Sequence, residues 1–166
     1  SQSGEWKVQL KATEFGGPYS LTVKGTKNRI EYNNVMVGDV WLCSGQSNME
    51  WPVDASNNAF QEIAAANYPG IRRFTVEKSM DNVERKDVQG AWSVCSPATV
   101  PAFSAVGYFF GRELHRNLNI PIGLIDASWG GTVVETWTDR PTMESVTQYK
   151  DVIKESASLD FKSMVA

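Results

Sequence analysis

Two hydrophobic rhythms divide the chain. Over residues 1–37 apolar and polar positions alternate, as in Trp6-Lys7-Val8-Gln9-Leu10 and Tyr19-Ser20-Leu21-Thr22-Val23. That is the period of half-exposed strands. Gly16-Gly17-Pro18 between them reads as a turn, and a third short strand is expected over Arg29 to Val37. From Gly38 onward, unbroken apolar runs replace the alternation. Val40-Trp41-Leu42-Cys43 and Pro121 to Ala127 are short and almost free of charge, the mark of parallel strands buried on both faces. Shorter strands are expected over 71–76 and 92–95, with the charged stretch 77–89 as a surface excursion.

Helical spacing is clearest at Phe103, Val106, Phe110, Leu114 and Leu118. It predicts a helix over 103–118 whose apolar stripe packs on the sheet, with Ser104 capping the first turn. A shorter helix is expected over 57–66 with Ser56 as N-cap, and another over 141–153 capped by Thr138 or Asp139. Residues 154–166 carry no convincing element. Strand, turn, helix and strand in this order predict an α/β fold. Residues 1–37 read as a β-rich segment, the end of a β-sandwich-like domain, because so short a stretch cannot close one alone. Residues 38–166 form the α/β part.

Composition narrows the classes. The 166 residues allow one domain, or one plus part of another, and 42% apolar with 21% charged residues suits a globular protein. A formal net charge of −3 gives no reason to expect nucleic acid or an anionic membrane as partner. No apolar run of about 18 residues is present to span a bilayer. The chain opens Ser-Gln-Ser-Gly without Met, which reads as a mature or trimmed form. Six Trp residues suit stacking on sugar faces as well as they suit a core. Cys43 reads as a packing residue, and a Cys43–Cys95 disulfide would require an oxidising compartment. One His and two separated Cys cannot build a metal cluster, so neither metal nor cofactor is expected.

Candidate chemistry gathers at two strand ends. The run at Val40 stops at Ser44-Gly45 and is followed by Gln46, Ser47 and Asn48. A serine at the carboxyl end of a parallel strand stands where open α/β sheets place their ligands. The second strand runs into Ser128-Trp129-Gly130-Gly131-Thr132, with Glu135 and Trp137 shortly after. Paired glycines there let backbone N–H groups approach a ligand closely.

The string Gly-Asp-Val-Trp-Leu-Cys-Ser-Gly-Gln-Ser-Asn-Met-Glu resembles the first signature block of the sialate O-acetylesterase family, within the SGNH (GDSL-like) hydrolases. Ser-Trp-Gly-Gly-Thr resembles the second block. The first is not a Gly-x-Ser-x-Gly elbow, since Met49 replaces the second glycine. The resemblance implies a three-layer α/β/α parallel sheet, incomplete in this chain. It implies a serine esterase that removes O-acetyl groups from sialic acid or a related acetylated sugar through an acetyl-enzyme. Ser47 would be the nucleophile, and the N–H groups of Ser47 and of Gly131 or Gly130 would form the oxyanion hole. Gln46 and Asn48 would fix the turn, while Trp129 and Glu135 would touch or flank the sugar. A secreted, periplasmic or lysosomal location follows from the family alone. Two alternatives stand beside this one: an esterase on another acetylated glycan such as acetyl-xylan, and a non-catalytic carbohydrate-binding fragment.

The family's base is missing from its place. Its histidine lies in Asp-x-x-His, whereas three residues before His115 stands Arg112. His115 adjoins the stripe residue Leu114 and reads as a surface or boundary residue near a helix C-terminus. No Gln-Gly-Glu-like third block appears. The expected partner is therefore the remaining part of the catalytic domain, carrying Asp-x-x-His on a second chain or a missing segment.

Overall fold

The computed structural model describes residues 6–81 and 84–159. Strands β1 (Gly16–Lys24) and β2 (Arg29–Val37) form a two-stranded antiparallel ladder. A second sheet holds β3 (Asp39–Gly45), β4 (Tyr68–Val76), β5 (Gly90–Cys95) and β6 (Ile122–Ser128), in the order β3-β6-β4-β5. β6 lies parallel to both β3 and β4, while β5 pairs antiparallel with β4 as an edge. Between β3 and β4 come α1 (Ser47–Glu50) and α2 (Ala59–Ala65), and α3 (Ala105–Leu118) crosses from β5 to β6. α4 (Arg140–Ser145) and α5 (Lys150–Ser156) follow, joined by a single 3-10 turn. The expected α/β class holds, with a mixed rather than wholly parallel sheet. Among the described residues, no helix is long and apolar enough to cross a membrane.

Several local expectations change. Residues 6–15 form no strand, since alternation without a pairing partner leaves the backbone unbonded. Gly16-Gly17-Pro18 belongs to β1 itself rather than to a turn between strands. Asn58, not Ser56, precedes α2, and the Ser56 hydroxyl instead donates to the Val53 carbonyl at 2.7 Å. The single helix expected over 141–153 is two, α4 being capped by Asp139, whose side chain accepts from the Thr142 N–H.

The stripe on α3 is the largest correction. Ser104 does cap the helix, accepting from the Gly107 N–H at 3.1 Å. Of the predicted stripe, Phe103 is buried just ahead of the helix and Leu114 packs against the core. The buried face of α3 itself, however, is Ala105, Gly107, Tyr108 and Gly111, while Val106, Phe110 and Leu118 are exposed. Small residues let the helix approach the sheet closely. A Cβ on Gly107 would lie 3.1 Å from Cys43 Sγ, and one on Gly111 would lie 3.1 Å from both Leu124 δ-carbons. Steric fit, rather than apolar spacing, chose the packed face.

α3 covers one face of the sheet, where Cys43, Ile71, Ile122 and Leu124 are buried. The opposite face does not meet the expectation of burial on both sides. Val40 is 61% exposed and Leu42 67%, because the described residues place no helical layer there. The β1–β2 hairpin reaches that side, leaving a groove of about 600 Å³ between Tyr32, Met36, Val40, Trp92 and Gly123. Arg72 Nη2 donates to Asn34 Oδ1 across the groove's edge at 3.0 Å.

Both cysteines are free thiols. β3 and β5 stand three strand spacings apart in the sheet, roughly 14 Å, which is beyond the reach of a disulfide. Burial pushes the Cys95 thiol up to about 11, and burial also raises that of Cys43.

Candidate active site

Register brings the two signature strings together. Gly45 pairs with Ser128 at the last position of the parallel β3–β6 ladder, and the Trp129 N–H donates to the Gly45 carbonyl just beyond it at 2.9 Å. Both chains therefore leave the sheet at its carboxyl edge side by side. Gly45 turns with φ +148, a backbone angle that side chains rarely adopt. The turn delivers Ser47 as the first residue of α1. Contacts behind α1 fix it: Met49 reaches the Ser104 hydroxyl, Pro52 bridges to Ser104, and the Ala105 N–H donates to the Trp51 carbonyl at 2.7 Å.

Around the hydroxyl of Ser47 two groups converge. The Gly131 N–H donates to Ser47 Oγ at 3.3 Å, and the hydroxyl itself donates to Gln46 Oε1 at 3.0 Å. Gln46 Oε1 also accepts the Ser47 N–H at 3.1 Å, so Gln46 caps α1 from its own side chain. The two glycines have different duties. Gly131 adopts φ +79 with open space where a Cβ would stand. Gly130 is a matter of room: a Cβ there would lie 3.2 Å from Ser47 Oγ and 2.7 Å from Glu50 Oε2.

Glu50 and Lys78 were not singled out from the sequence. The Glu50 carboxylate accepts the Gly130 N–H and is paired with Lys78. The hydrogen bond from Lys78 is the main cause that holds the Glu50 carboxyl below its usual range, with the Gly130 N–H adding to it against some burial. The Lys78 ammonium also sits over the Trp129 ring at 5.7 Å. Glu50 lies in the first signature string, so its residue type was visible. Lys78 comes from the charged excursion after β4, 28 positions later, and no sequence pattern links the two.

Other expected residues are more peripheral. Asn48 is exposed, and Glu135 is half-buried in the 3-10 turn Val134–Trp137. Trp129 is half-buried beneath Lys78, with its carbonyl accepting from the Thr132 hydroxyl at 2.7 Å. Behind the site, buried Asp126 accepts from Ser128 Oγ at 2.6 Å and pairs with Arg73 at 2.9 Å. A buried pair held by a further hydroxyl fixes the end of β6 from below.

His115 stands elsewhere. Its Nδ1 contacts the Ile120 carbonyl at 2.6 Å, and its ring packs edge-on against Tyr68 and close to Gly70. These neighbours lie where β4 begins and just ahead of β6, the opposite end of the strands from Ser47. The residue is half-buried and tied into the packing rather than a free surface group.

A serine at the carboxyl end of a parallel strand, with a backbone N–H directed at its hydroxyl oxygen, is the arrangement of the serine hydrolases on α/β folds. The chain belongs to the carbohydrate esterase, sialic acid-specific acetylesterase family, whose model matches residues 37–164. It is 37% identical over 158 residues to the sialate O-acetylesterase of Mus musculus, covering 86% of this chain and 29% of that protein. Against the Homo sapiens sialate O-acetylesterase it is 34% identical over 160 residues, covering 87% and 30%. A carbohydrate acetylesterase of known structure from Xanthomonas citri superposes with TM-score 0.82 at 40% identity, covering 87% of this chain and 33% of that one. The chain thus spans about three-tenths of the length of the curated relatives it matches.

Proposed function

We propose that this chain supplies the nucleophile and part of the oxyanion hole of a carbohydrate O-acetylesterase, with sialic acid or a related sugar bearing the acetyl group. One observation carries the reading: the Gly131 N–H aimed at Ser47 Oγ from the adjoining strand end. Ser47 Oγ attacks the acetyl carbonyl and the sugar C–O–acetyl linkage breaks at the acyl carbon. The hydroxyl proton passes to a base and on to the departing sugar oxygen. Water then hydrolyses the acetyl-enzyme to acetate and restores the serine. Gly131 would stabilise the oxyanion, a donor of this kind being worth roughly 3–4 kcal/mol in the transition state. The Ser47 N–H joins it once the exposed Gln46 side chain turns away from the helix start. Gly130, whose N–H is taken by Glu50, is the weaker candidate of the two glycines.

His115 packs at the wrong end of the strands, so the base comes from a further segment carrying Asp-x-x-His. The free edge of β3 and the bare sheet face beside it are the places we assign to that segment. Trp129, Glu135 and Asn48 remain candidates for contact with the sugar. A secreted, periplasmic or lysosomal location rests on the family resemblance. The test is treatment of the assembled enzyme with a serine-directed organophosphonate, followed by mapping of the adduct. Labelling at Ser47, with activity lost in Ser47→Ala, is the expected result. An adduct elsewhere, or acetate release undiminished in Ser47→Ala, would overturn it.

A further inference from the structure

Glu50 is placed where a bystander would have little to do. Its two carboxylate oxygens divide their work: Oε2 accepts the Gly130 N–H and Oε1 takes Lys78. Among the described residues its carboxylate makes no hydrogen bond to the Ser47 hydroxyl or the nucleophile's turn, to which Glu50 is joined by its backbone N–H, donating to the Gln46 carbonyl at 3.0 Å. Gly130 is the residue immediately before the donor Gly131, and a glycine pair is the least self-supporting backbone in the chain. Something outside the turn must therefore hold it. The Trp129 carbonyl is fixed by Thr132 and the Trp129 N–H by Gly45, which anchors the turn's start. The N–H of Gly130 is fixed by Glu50 alone among the described residues. With Gly130 held, the peptide that follows it is aimed at Ser47 Oγ.

We infer that Glu50, paired with Lys78, is a positioning residue that clamps Gly130 and thereby aims the Gly131 N–H into the oxyanion hole. The inference rests on the esterase reading above, since it presumes that Gly131 serves an oxyanion. Its logic is geometric. An oxyanion donor stabilises the transition state only when it is already oriented before charge develops, because reorientation during the reaction costs what the contact returns. Glu50 also links three separate stretches: the α1 turn, the glycine turn after β6 and the excursion after β4. Lys78 completes the link by lying over the Trp129 ring at 5.7 Å.

The experiment compares Glu50→Ala, Glu50→Gln, Lys78→Met and Ser47→Ala in the assembled enzyme, reading kcat and KM on an acetyl ester separately. The affinity of a small alkyl boronic acid, which forms a tetrahedral adduct on the serine, is measured in parallel. Loss of one donor's orientation should lower kcat in Glu50→Ala by about 10²-fold, with KM unchanged within about twofold. Boronate affinity should fall alongside kcat. Glu50→Gln keeps an acceptor for the Gly130 N–H and should lose only about tenfold, as should Lys78→Met, which frees the carboxylate to drift. A residue that merely stabilises the fold would lower the melting temperature without separating kcat from KM.

Three results would overturn the clamp. One is a wild-type kcat in Glu50→Ala. Another is a raised KM with kcat retained, which would make Glu50 a substrate contact. The third is an equal loss in Glu50→Gln and Glu50→Ala, which would show the carboxylate acting through its charge. Should Glu50→Ala fail to fold, the isosteric Glu50→Gln and the exposed Lys78→Met decide the matter by the same split. Ser47→Ala separates the two readings. If it retains activity, the esterase assignment itself has failed; if it is inactive while Glu50→Ala is unimpaired, only the clamp has.

Discussion

On one face of the four-stranded sheet, Cys43, Ile71, Ile122 and Leu124 lie buried beneath α3. On the other, Val40, Leu42 and Trp92 stand 61%, 67% and 54% exposed, although they alternate along the same or neighbouring strands. The residue types on the two faces are alike. Strands written this way are apolar on both sides because both are meant to be covered, as in sheets with helices above and below. The bare face is thus a surface composed as interior. The serine's surroundings lie at the strand ends and draw only on the covered side. α1 is held by Met49, Trp51 and Pro52 against the start of α3, and the glycine turn by Glu50 and Thr132. Turn chemistry at a strand's end therefore sets the nucleophile's geometry without help from the uncovered face.

The sharpest way to break this comparison is to remove volume from the covered face. Leu124 is 3% exposed and faces Gly111 across the α3 contact. Leu124→Ala should cost about 2–5 kcal/mol, since it leaves a cavity between two rigid elements. Urea unfolding followed by circular dichroism measures it. A loss below about 1 kcal/mol would mean that α3 does not seal this face.

The next effect comes from pH. Cys95 is 1% exposed, and burial raises its thiol to about 11, against about 8.5 for a cysteine in an unfolded chain. A raised folded value means that the native state holds its proton longer. The resulting stability is fully present below about pH 8.5 and is lost as pH rises through about 11. Stability should decline across that window, by on the order of 3 kcal/mol, and Cys95→Ala should flatten the decline. Native Cys95 should also resist thiol reagents at pH 8, reacting only after unfolding. Smaller again is the cap: Ser104→Ala removes the acceptor for the Gly107 N–H and should cost about 1 kcal/mol.

The sequence made some of this plain and hid the rest for physical reasons. Strand ends were legible because an apolar run that stops at glycine has few other readings, and Ser104 was legible because a serine before a helix has a defined duty. Ser47 and the Gly130-Gly131 pair were found on the same grounds and through the family resemblance. The packed face of α3 was not, since spacing of large apolar residues finds the most hydrophobic side, whereas close approach to the sheet selected Gly107 and Gly111. Trp6 to Leu10 alternates like a strand but has none to pair with. Glu50 and Lys78 meet across 28 positions of sequence, a contact that only the folded chain creates. The Gln46 side chain on the Ser47 N–H was likewise beyond any pattern, because it depends on one rotamer at one turn.

The smallest effect should come from the bare face, and it bears most directly on the comparison. Leu42 is 67% exposed, so Leu42→Ser removes almost no packing within this chain. Exposed substitutions of that kind usually stay within about ±0.5 kcal/mol. The same leucine-to-serine change at Leu124 would bury a hydroxyl and leave a void, so the pair isolates the face from the chemistry of the substitution. Leu42→Ser should therefore unfold at the wild-type urea midpoint. It should also self-associate less by light scattering, because it interrupts a contiguous apolar patch. If the face seats the segment that carries the base, the substitution will weaken the assembled enzyme while leaving this chain's own stability untouched. A loss above about 2 kcal/mol in this chain alone would show that Leu42 is already packed, and that the two faces differ less than their exposures indicate.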